Sequence, residues 1–312
     1  MTTVLRYLLA LCCSLAIGGC QNRTALPQQP DTFTVLVVNS NSALPRYEVP
    51  VQAFLKTIKG AELVTVDLGE DELPTETLQD MLNAHRVQAI YCVGAKALGS
   101  IDYLSPATPV VYSSVLSWRE FQSRKHFYGV TDGVAPAAQL AWFKHFFPNI
   151  QRIGVLYSDT SENVLKDARH SAEALSLTLN TRKIAAGEAR TPHIEALLES
   201  SDAIWILPDP EVLDSEANTV QLFEQAHRRK IPVFAYNPFF MELGATLSIN
   251  ADLATTGRQA ALMVQSLQNA APESNIQFPA GSNVSLNLRK VREYQLNLDS
   301  DALNSVSELL DQ

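Results

Sequence analysis

Short apolar runs alternate with amphipathic segments along most of the chain. The runs lie at residues 33–38, 63–66, 89–93, 110–112, 153–157, 203–207, 233–236 and 245–249. Several are unbroken stretches of Val, Ile, Leu and Tyr, as expected for strands that are buried on both faces. The pattern predicts an α/β fold in which helices cover parallel sheets.

Proline marks the ends of several segments with a helical period. Pro136 opens the helix predicted over 137–147, Pro148 closes it, and Pro192 lies in the first turn of the helix predicted over 191–199. Proline is common at both places because a first turn needs no N–H there and the ring cannot continue a helix. Further helices are predicted over 49–58, 161–175, 215–228 and 252–267.

The series of strands and helices begins twice, at 33–38 and again at 153–157. A chain of 312 residues, 46% of them hydrophobic, is long enough for two cores. We therefore predict two Rossmann-like lobes with parallel sheets. In such folds ligands lie beyond the carboxyl ends of the strands, where loops and helix N-termini meet.

The first twenty residues predict export. Arg6 precedes an apolar run over 7–17 that is too short to span a membrane, and Gly18, Gly19 and Cys20 follow it. This ending resembles a bacterial lipoprotein cleavage site, so residues 1–20 are interpreted as a signal peptide ending in a lipidated (palmitate-bearing) Cys20. The alternative is an ordinary signal peptide with a chance cysteine. Residues 21–31 are polar and contain two prolines, which predicts a flexible tether to the membrane.

Composition excludes several functions. A net charge of -9 without a basic patch argues against nucleic-acid binding. Once the first twenty residues are set aside, Cys92 is the one remaining cysteine, inside an apolar run, so neither a disulfide nor a cysteine-based metal site is expected. The six histidines form no metal-binding motif, and the common catalytic and phosphate-binding motifs are missing. We expect neither a cofactor nor an enzyme.

In the first lobe, small polar residues follow the ends of predicted strands and form the candidate ligand-binding set. The loop 39–42 can donate hydrogen bonds to a ligand or merely cap the next helix. Gly94 allows close approach of the backbone, and free amides beside it can meet a carboxylate. The predicted ligand-binding residues of this lobe are Asn39, Ser40, Asn41, Gly94, Ala95, Ser113 and Ser114, with Thr131 and Asp132 where the chain crosses to the second lobe.

In the second lobe, Asp209 follows a predicted strand and stands between two prolines. A carboxylate held rigidly there can bind a ligand ammonium, although Asp beside Pro is also common in turns. Tyr236 and Asn237 follow another strand. Asn250 follows a third, where it either faces the cleft or caps the next helix.

Three stretches of the chain resemble one known family. They are residues 232–238 with 242–245 and 257–261, residues 129–132 with 148–150 and 153–157, and residues 109–113. They are similar to the ABC transporter substrate-binding family of the type I periplasmic binding protein fold, in particular its tryptophan- and tyrosine-binding lipoproteins. The resemblance covers nearly all of 31–292, but the loop 39–42 is atypical of the family.

The resemblance implies where the lobes begin and end. Lobe 1 would comprise 32–131 and 251–280, lobe 2 would comprise 132–250 and 281–292, and a helical tail would follow over 293–312. The three crossings between them would form a hinge that closes on a ligand. By position, Ser113 and Ser114 would meet a ligand carboxylate, Asp209 an amine, and Tyr236 or Phe239 an apolar part.

The leading functional hypothesis is a lipid-anchored periplasmic receptor that passes a small amino-acid-like solute to an ABC permease. Gln21 after the lipidated cysteine favours the outer membrane, facing the periplasm, because aspartate there usually marks retention at the inner membrane. The alternative is an envelope lipoprotein that uses the bilobed fold as a sensor or partner-binding module. A cleft whose polar groups are already bonded to protein groups would favour this alternative.

Overall fold

A computed structural model of the protein describes residues 33–69, 74–104, 106–269, 272 and 274–311. The predicted signal peptide, Cys20 and the tether lie outside the described residues.

Strands in the described residues alternate with helices. They are β1 (Phe33–Asn39), β2 (Ala61–Asp67), β3 (Ala89–Val93), β4 (Val110–Ser113), β5 (Phe127–Val130), β6 (Arg152–Tyr157), β7 (Thr178–Lys183), β8 (Ala203–Trp205), β9 (Val233–Ala235), β10 (Leu247–Ala251), β11 (Ile276–Gln277), β12 (Ser282–Asn287) and β13 (Glu308–Leu310).

Helices connect most of the parallel strands. They are α1 (Pro45–Thr57), α2 (Thr75–Ala84), α3 (Ala95–Tyr103), α4 (Pro136–Phe146), α5 (Glu162–Ala174), α6 (Thr191–Ser200), α7 (Glu216–Arg228), α8 (Leu253–Ser266) and α9 (Leu288–Tyr294), and short 3-10 turns lie at Trp118–Glu120, Pro238–Met241 and Asp301–Ser305.

The strands form two sheets, which confirms the predicted two-lobed α/β fold. Lobe 1 contains the sheet β11-β5-β4-β3-β1-β2, in which every pair is parallel. Lobe 2 contains the sheet β13-β12-β10-β9-β8-β6-β7, in which β10 and β12 form the antiparallel pair. Consecutive residues of β1 point to opposite faces, so Val35 and Leu36 belong to separate hydrophobic clusters under different helices.

The chain passes between the lobes three times, at residues 131–135, at 252 and at 278–281. The last part of the chain differs from the expected helical tail. After α9 it makes one 3-10 turn and then adds β13 to the edge of the second sheet, beside β12. Backbone hydrogen bonds to an open sheet edge, and Leu310 against the lobe 2 core, favour a strand there.

The helices α1 and α8 make the closest helix contact in lobe 1. A Cβ atom on Gly257 of α8 would lie 2.1 Å from the backbone oxygen of Pro50 in α1. Glycine is therefore required for this approach, which places the N-terminus of α1 beside the crossing points. Within the described residues, no helix is both long and apolar enough to cross a membrane.

Candidate functional site

The carboxyl ends of the parallel strands meet the three crossings in a cleft between the lobes. On the lobe 1 side, Asn39 ends β1, Ser113 ends β4 and Thr131 follows β5. On the lobe 2 side, Ser158 follows β6 and Tyr236 follows β9. This is the location predicted for a ligand in such a fold.

The loop after β1 uses its polar groups internally. The Asn39 side chain accepts a hydrogen bond from the backbone N–H of Asn41 at 3.2 Å and donates one to Glu48. The Asn41 side chain accepts from the N–H of Ala43. Ser40 accepts from the N–H of Ala97, so it satisfies the first turn of α3 and not that of α1. These groups are therefore bonded within lobe 1, but none of them caps α1, which begins after Leu44 without a side-chain cap.

Gly94 is required by its backbone geometry. Its φ is +90°, and an added Cβ would lie 2.4 Å from the Ser40 oxygen and 2.7 Å from the ring of Tyr47. The close approach predicted here is therefore made by protein atoms. Gly94 caps α3 with no side-chain hydrogen bond, and Ala95 begins that helix.

The hydroxyls that follow β4 and β5 are also bonded to protein groups. Ser113 is fully buried, and its oxygen lies 2.8 Å from the hydroxyl of Tyr91. Ser114 donates to the backbone oxygen of Arg46, and Thr131 donates to that of Gly133. The resemblance assigns Ser113 and Ser114 to a ligand carboxylate, but both side chains already have protein partners.

Asp209 connects two loops within lobe 2. Its carboxylate is 2% exposed and accepts hydrogen bonds from the N–H and hydroxyl of Ser158, the hydroxyl of Ser161, and the N–H groups of Glu211 and Val212. A carboxylate with two oxygens has about four acceptor positions, so these donors occupy it. The prediction that Asp209 binds a ligand amine is not supported, because its oxygens link the loops after β6 and β8.

Asp132 lies at the first crossing and carries a carboxylate into the cleft. Its oxygen is 3.6 Å from the guanidinium of Arg46, and the two side chains are 24% and 44% exposed. Burial raises the pKa of Asp132, and Arg46 lowers it by a smaller amount. A separation of 3.6 Å is too long for a direct hydrogen bond, so each charge can take a further hydrogen-bonding partner.

Tyr236 lies near this pair from the side of lobe 2. Burial raises the pKa of Tyr236, and the negative charge of Asp132 adds to the shift. Its ring packs edge-on against Phe240 at 5.4 Å between centroids. The side chain of Asn237 accepts from the N–H of Phe239, which opens a 3-10 turn and leaves the Phe239 ring 61% exposed.

Asn250 lies on β10 near the end of the strand. Its amide donates to the backbone oxygen of Ala251, while its side-chain oxygen is buried without a hydrogen-bond partner in the structure. The helix that follows is capped by Asp252, which accepts from the N–H of Ala254. Asn250 therefore does not cap this helix, which was one of the two roles that the sequence allowed for it.

Arg46 is the residue that sequence reasoning missed. It lies in the first turn of α1, directly after the polar loop that ends β1, and its position next to Pro45 at a helix start was the available signal. The structure thus brings Arg46, Asp132 and Tyr236 together, and most hydroxyl and amide groups of the other candidates have internal contacts, with the side-chain oxygen of Asn250 as an exception. Among the described residues, no group of His, Cys, Asp and Glu side chains could hold a metal ion.

Two α/β lobes joined by three crossings have the fold of the type I periplasmic binding proteins. A model of the family described as "ABC transporter substrate binding protein" matches residues 76–308, which is well over half of the chain. The protein belongs to this family. Among curated proteins, no significant match was found.

Solved structures share the fold at low sequence identity. A substrate binding protein with adhesive properties from Clostridium difficile, in a ligand-free, open structure, is 15% identical with a TM-score of 0.69, covering 90% of this chain and all (100%) of that one. An ABC domain from Streptococcus pneumonia in complex with L-Trp is 16% identical with a TM-score of 0.57, covering 89% and 100%. A conserved domain protein from Vibrio cholerae is 18% identical with a TM-score of 0.55, covering 89% and 99%. These similarities concern the fold.

Proposed function

We propose that the protein is a lipid-anchored receptor that binds a small amino-acid-like solute between its lobes and passes it to an ABC permease. The observation that carries the proposal is the pair of Arg46 and Asp132 in the cleft. A zwitterion has one carboxylate and one ammonium, and these match a guanidinium and a carboxylate that lie side by side. Tyr236 and the exposed ring of Phe239 offer apolar surface for a side chain.

Two other observations support this function. Membership in a family of substrate-binding proteins makes a small solute the expected ligand. The structure of the pneumococcal relative contains L-Trp, so the same fold accommodates an amino acid in that protein.

A thermal-shift screen of the purified protein against amino acids and related zwitterions tests the proposal. At a hundredfold excess over Kd, a ligand stabilises the folded state by about 2.7 kcal/mol, which gives a clear rise in Tm. The shift should disappear in Arg46→Met and in Asp132→Asn. It should persist in Arg124→Met, which breaks a similar ion pair between Arg124 and Asp102 inside lobe 1. A ligand that still raises the Tm of both Arg46→Met and Asp132→Asn would contradict the proposal that this pair binds it.

The membrane anchor is part of the same proposal and has its own test. The residues before Cys20 support lipidation, and Gln21 supports sorting to the outer membrane. Cells supplied with labelled palmitate should label the protein, and Cys20→Ser should abolish the label and release the protein from the membrane fraction. Recovery of the unchanged protein in the inner-membrane fraction would contradict the sorting.

A second function is favoured by the contacts of the candidate side chains. Asp209, Ser40, Ser113 and Thr131 all bond to protein groups, which is the arrangement expected of a fold retained to bind a partner or to serve as a sensor. If no solute shifts the Tm, crosslinking in intact cells followed by identification of the bound envelope protein tests this alternative.

A further inference from the structure

A second pocket lies in lobe 2, at the end of the sheet opposite the cleft. Its volume is about 140 Å³, and it lies between α7, the loop before β10, and α9. The strand β10 reaches the cleft with its last residue, Ala251, so Leu243 and Gly244 before it lie at the other end. The antiparallel strand β12 ends there too, and α9 begins directly after it.

The pocket has apolar walls, and its polar lining includes the ammonium of Lys290 and the carboxylate of Glu224. Val220, Phe223 and Leu243 line one part, and His227, Lys290 and Tyr294 line the other. Lys290 is 8% exposed, which is rare for an ammonium group unless it is fully hydrogen-bonded.

Two donors converge on one acceptor at the polar end. The Nζ of Lys290 and the hydroxyl of Tyr294 each lie 3.0 Å from Nδ1 of His227. An imidazole nitrogen that carries no proton has one lone pair, so Nδ1 can accept from only one of them. Glu293 accepts from Lys290 at 3.0 Å. The ammonium of Lys290 has three N–H groups and two protein acceptors, Glu293 and Nδ1 of His227, so one N–H remains for a ligand. Burial, with a smaller contribution from Glu293, raises the pKa of Tyr294 to about 12, so its hydroxyl remains a donor at neutral pH.

We propose that this pocket binds a small monocarboxylate with an apolar tail, whose oxygens accept from Lys290 and Tyr294. The walls formed by Val220, Phe223 and Leu243 take the tail. Glu224 lines the pocket and Glu293 lies beside the ammonium, so a dianion such as phosphate is disfavoured by repulsion. The proposal is independent of the cleft ligand.

Ligand-detected NMR on the purified full-length protein tests this site. The probes are 4-methylpentanoate and the matched alcohol 4-methylpentan-1-ol, which has the same tail without the charge. We expect saturation transfer to the acid and a signal at least tenfold weaker for the alcohol. Inorganic phosphate should not displace the acid.

Variants then locate the binding. Lys290→Met keeps the length of the side chain and removes the charge, and it should abolish the signal of the acid. Val220→Trp should do the same by filling the pocket without a change of charge, which keeps the test valid if Lys290→Met fails to fold. Lys59→Met removes an exposed lysine of lobe 1 and should leave binding unchanged.

The variant Arg46→Met distinguishes this pocket from the cleft. The acid should still bind to this variant. Binding that is lost in Arg46→Met and retained in Lys290→Met and Val220→Trp would place the acid in the cleft and overturn the proposal. Equal signals for the acid and the alcohol, or no signal for the acid, would overturn it as well.

Discussion

Two aspartates illustrate how burial and hydrogen bonding determine what one residue type can do. Asp209 and Asp132 both lie just beyond the ends of strands. Asp209 is surrounded by donors of its own lobe, whereas Asp132 has one guanidinium at 3.6 Å and is partly exposed in the cleft. The first carboxylate stabilises loops, and the second has capacity left for a ligand.

Asp209→Ala should lower the free energy of unfolding by about 3 kcal/mol, because buried N–H and O–H donors lose a charged acceptor. Urea unfolding followed by circular dichroism measures this change. The matched control is Asp132→Ala, for which we expect a change below about 1 kcal/mol, since its ion pair is partly exposed. Similar losses in both variants would contradict the structural role assigned to Asp209.

The affinity for an amino-acid ligand should decrease as the pH falls through the pKa of Asp132. Burial raises this pKa above the ordinary value for aspartate, so protonation begins at a higher pH than usual. A ligand ammonium needs the charged carboxylate, and the protonated form binds it weakly. Titration calorimetry between acidic and neutral pH tests this, and Asp132→Asn should bind weakly at every pH. A profile that is flat in the unaltered protein would exclude Asp132 from the site.

For the stability of the protein without ligand, Asp132 has the opposite pH dependence. The pKa of Asp132 is higher in the folded than in the unfolded chain. Its favourable contribution to the free energy of unfolding is therefore fully present at a pH below its pKa in the unfolded chain. This contribution is lost as the pH rises through its pKa in the folded chain.

At the scale of elements, most strands follow from local pattern and most exceptions are at the edges. The continuous apolar run of β3 is buried on both faces and was predicted with its observed bounds. The strand β7 was missed because its sequence TLNTRK is polar, as is suited to an edge strand. The helix α9 was missed because it is seven residues long and offers too few turns for a period to appear.

Gly257→Ala should destabilise lobe 1 by about 1–3 kcal/mol, because the new methyl group would collide with the backbone oxygen of Pro50 and separate α8 from α1. The control is Gly99→Ala in α3, where an added Cβ meets nothing within 4 Å. That change should stabilise the helix by up to about 1 kcal/mol. Thermal unfolding distinguishes them by opposite shifts in Tm.

At the scale of the whole molecule, an ion pair joins the lobes on their surface. Arg119 of lobe 1, stacked on Trp118 at 4.3 Å, lies 3.5 Å from Asp167 in α5 of lobe 2. Opening of the cleft about the three crossings would separate these charges, so the pair favours the conformation in which the lobes are in contact.

Arg119→Met should increase the population of open molecules by up to about fivefold, the effect of an exposed pair worth at most about 1 kcal/mol. Distances between probes on α2 and α6, one in each lobe, measure the change. Restoring the pair with swapped charges, Arg119→Asp with Asp167→Arg, should reverse it. Arg124→Met breaks an ion pair within lobe 1 and should leave the distances unchanged.

The sequence by itself determined the two-lobed α/β fold, the positions of most central strands and the edge of the sheets where a site would form. These features depend on apolar periodicity and on proline and polar residues near helix ends, which are local properties. Asp132 was in the predicted set because the chain crosses between the lobes there, and Tyr236 because it follows a strand.

Only the tertiary structure decided which of these polar groups have capacity left for a ligand. Asp209 meets Ser158 and Ser161 some 50 residues earlier, and Ser113 meets Tyr91, so their partners cannot be identified from neighbouring residues. Arg46 became a candidate site residue because its helix begins beside the crossing that carries Asp132. Hydrogen-bond capacity depends on contacts between distant segments, and these exist only once the chain has folded.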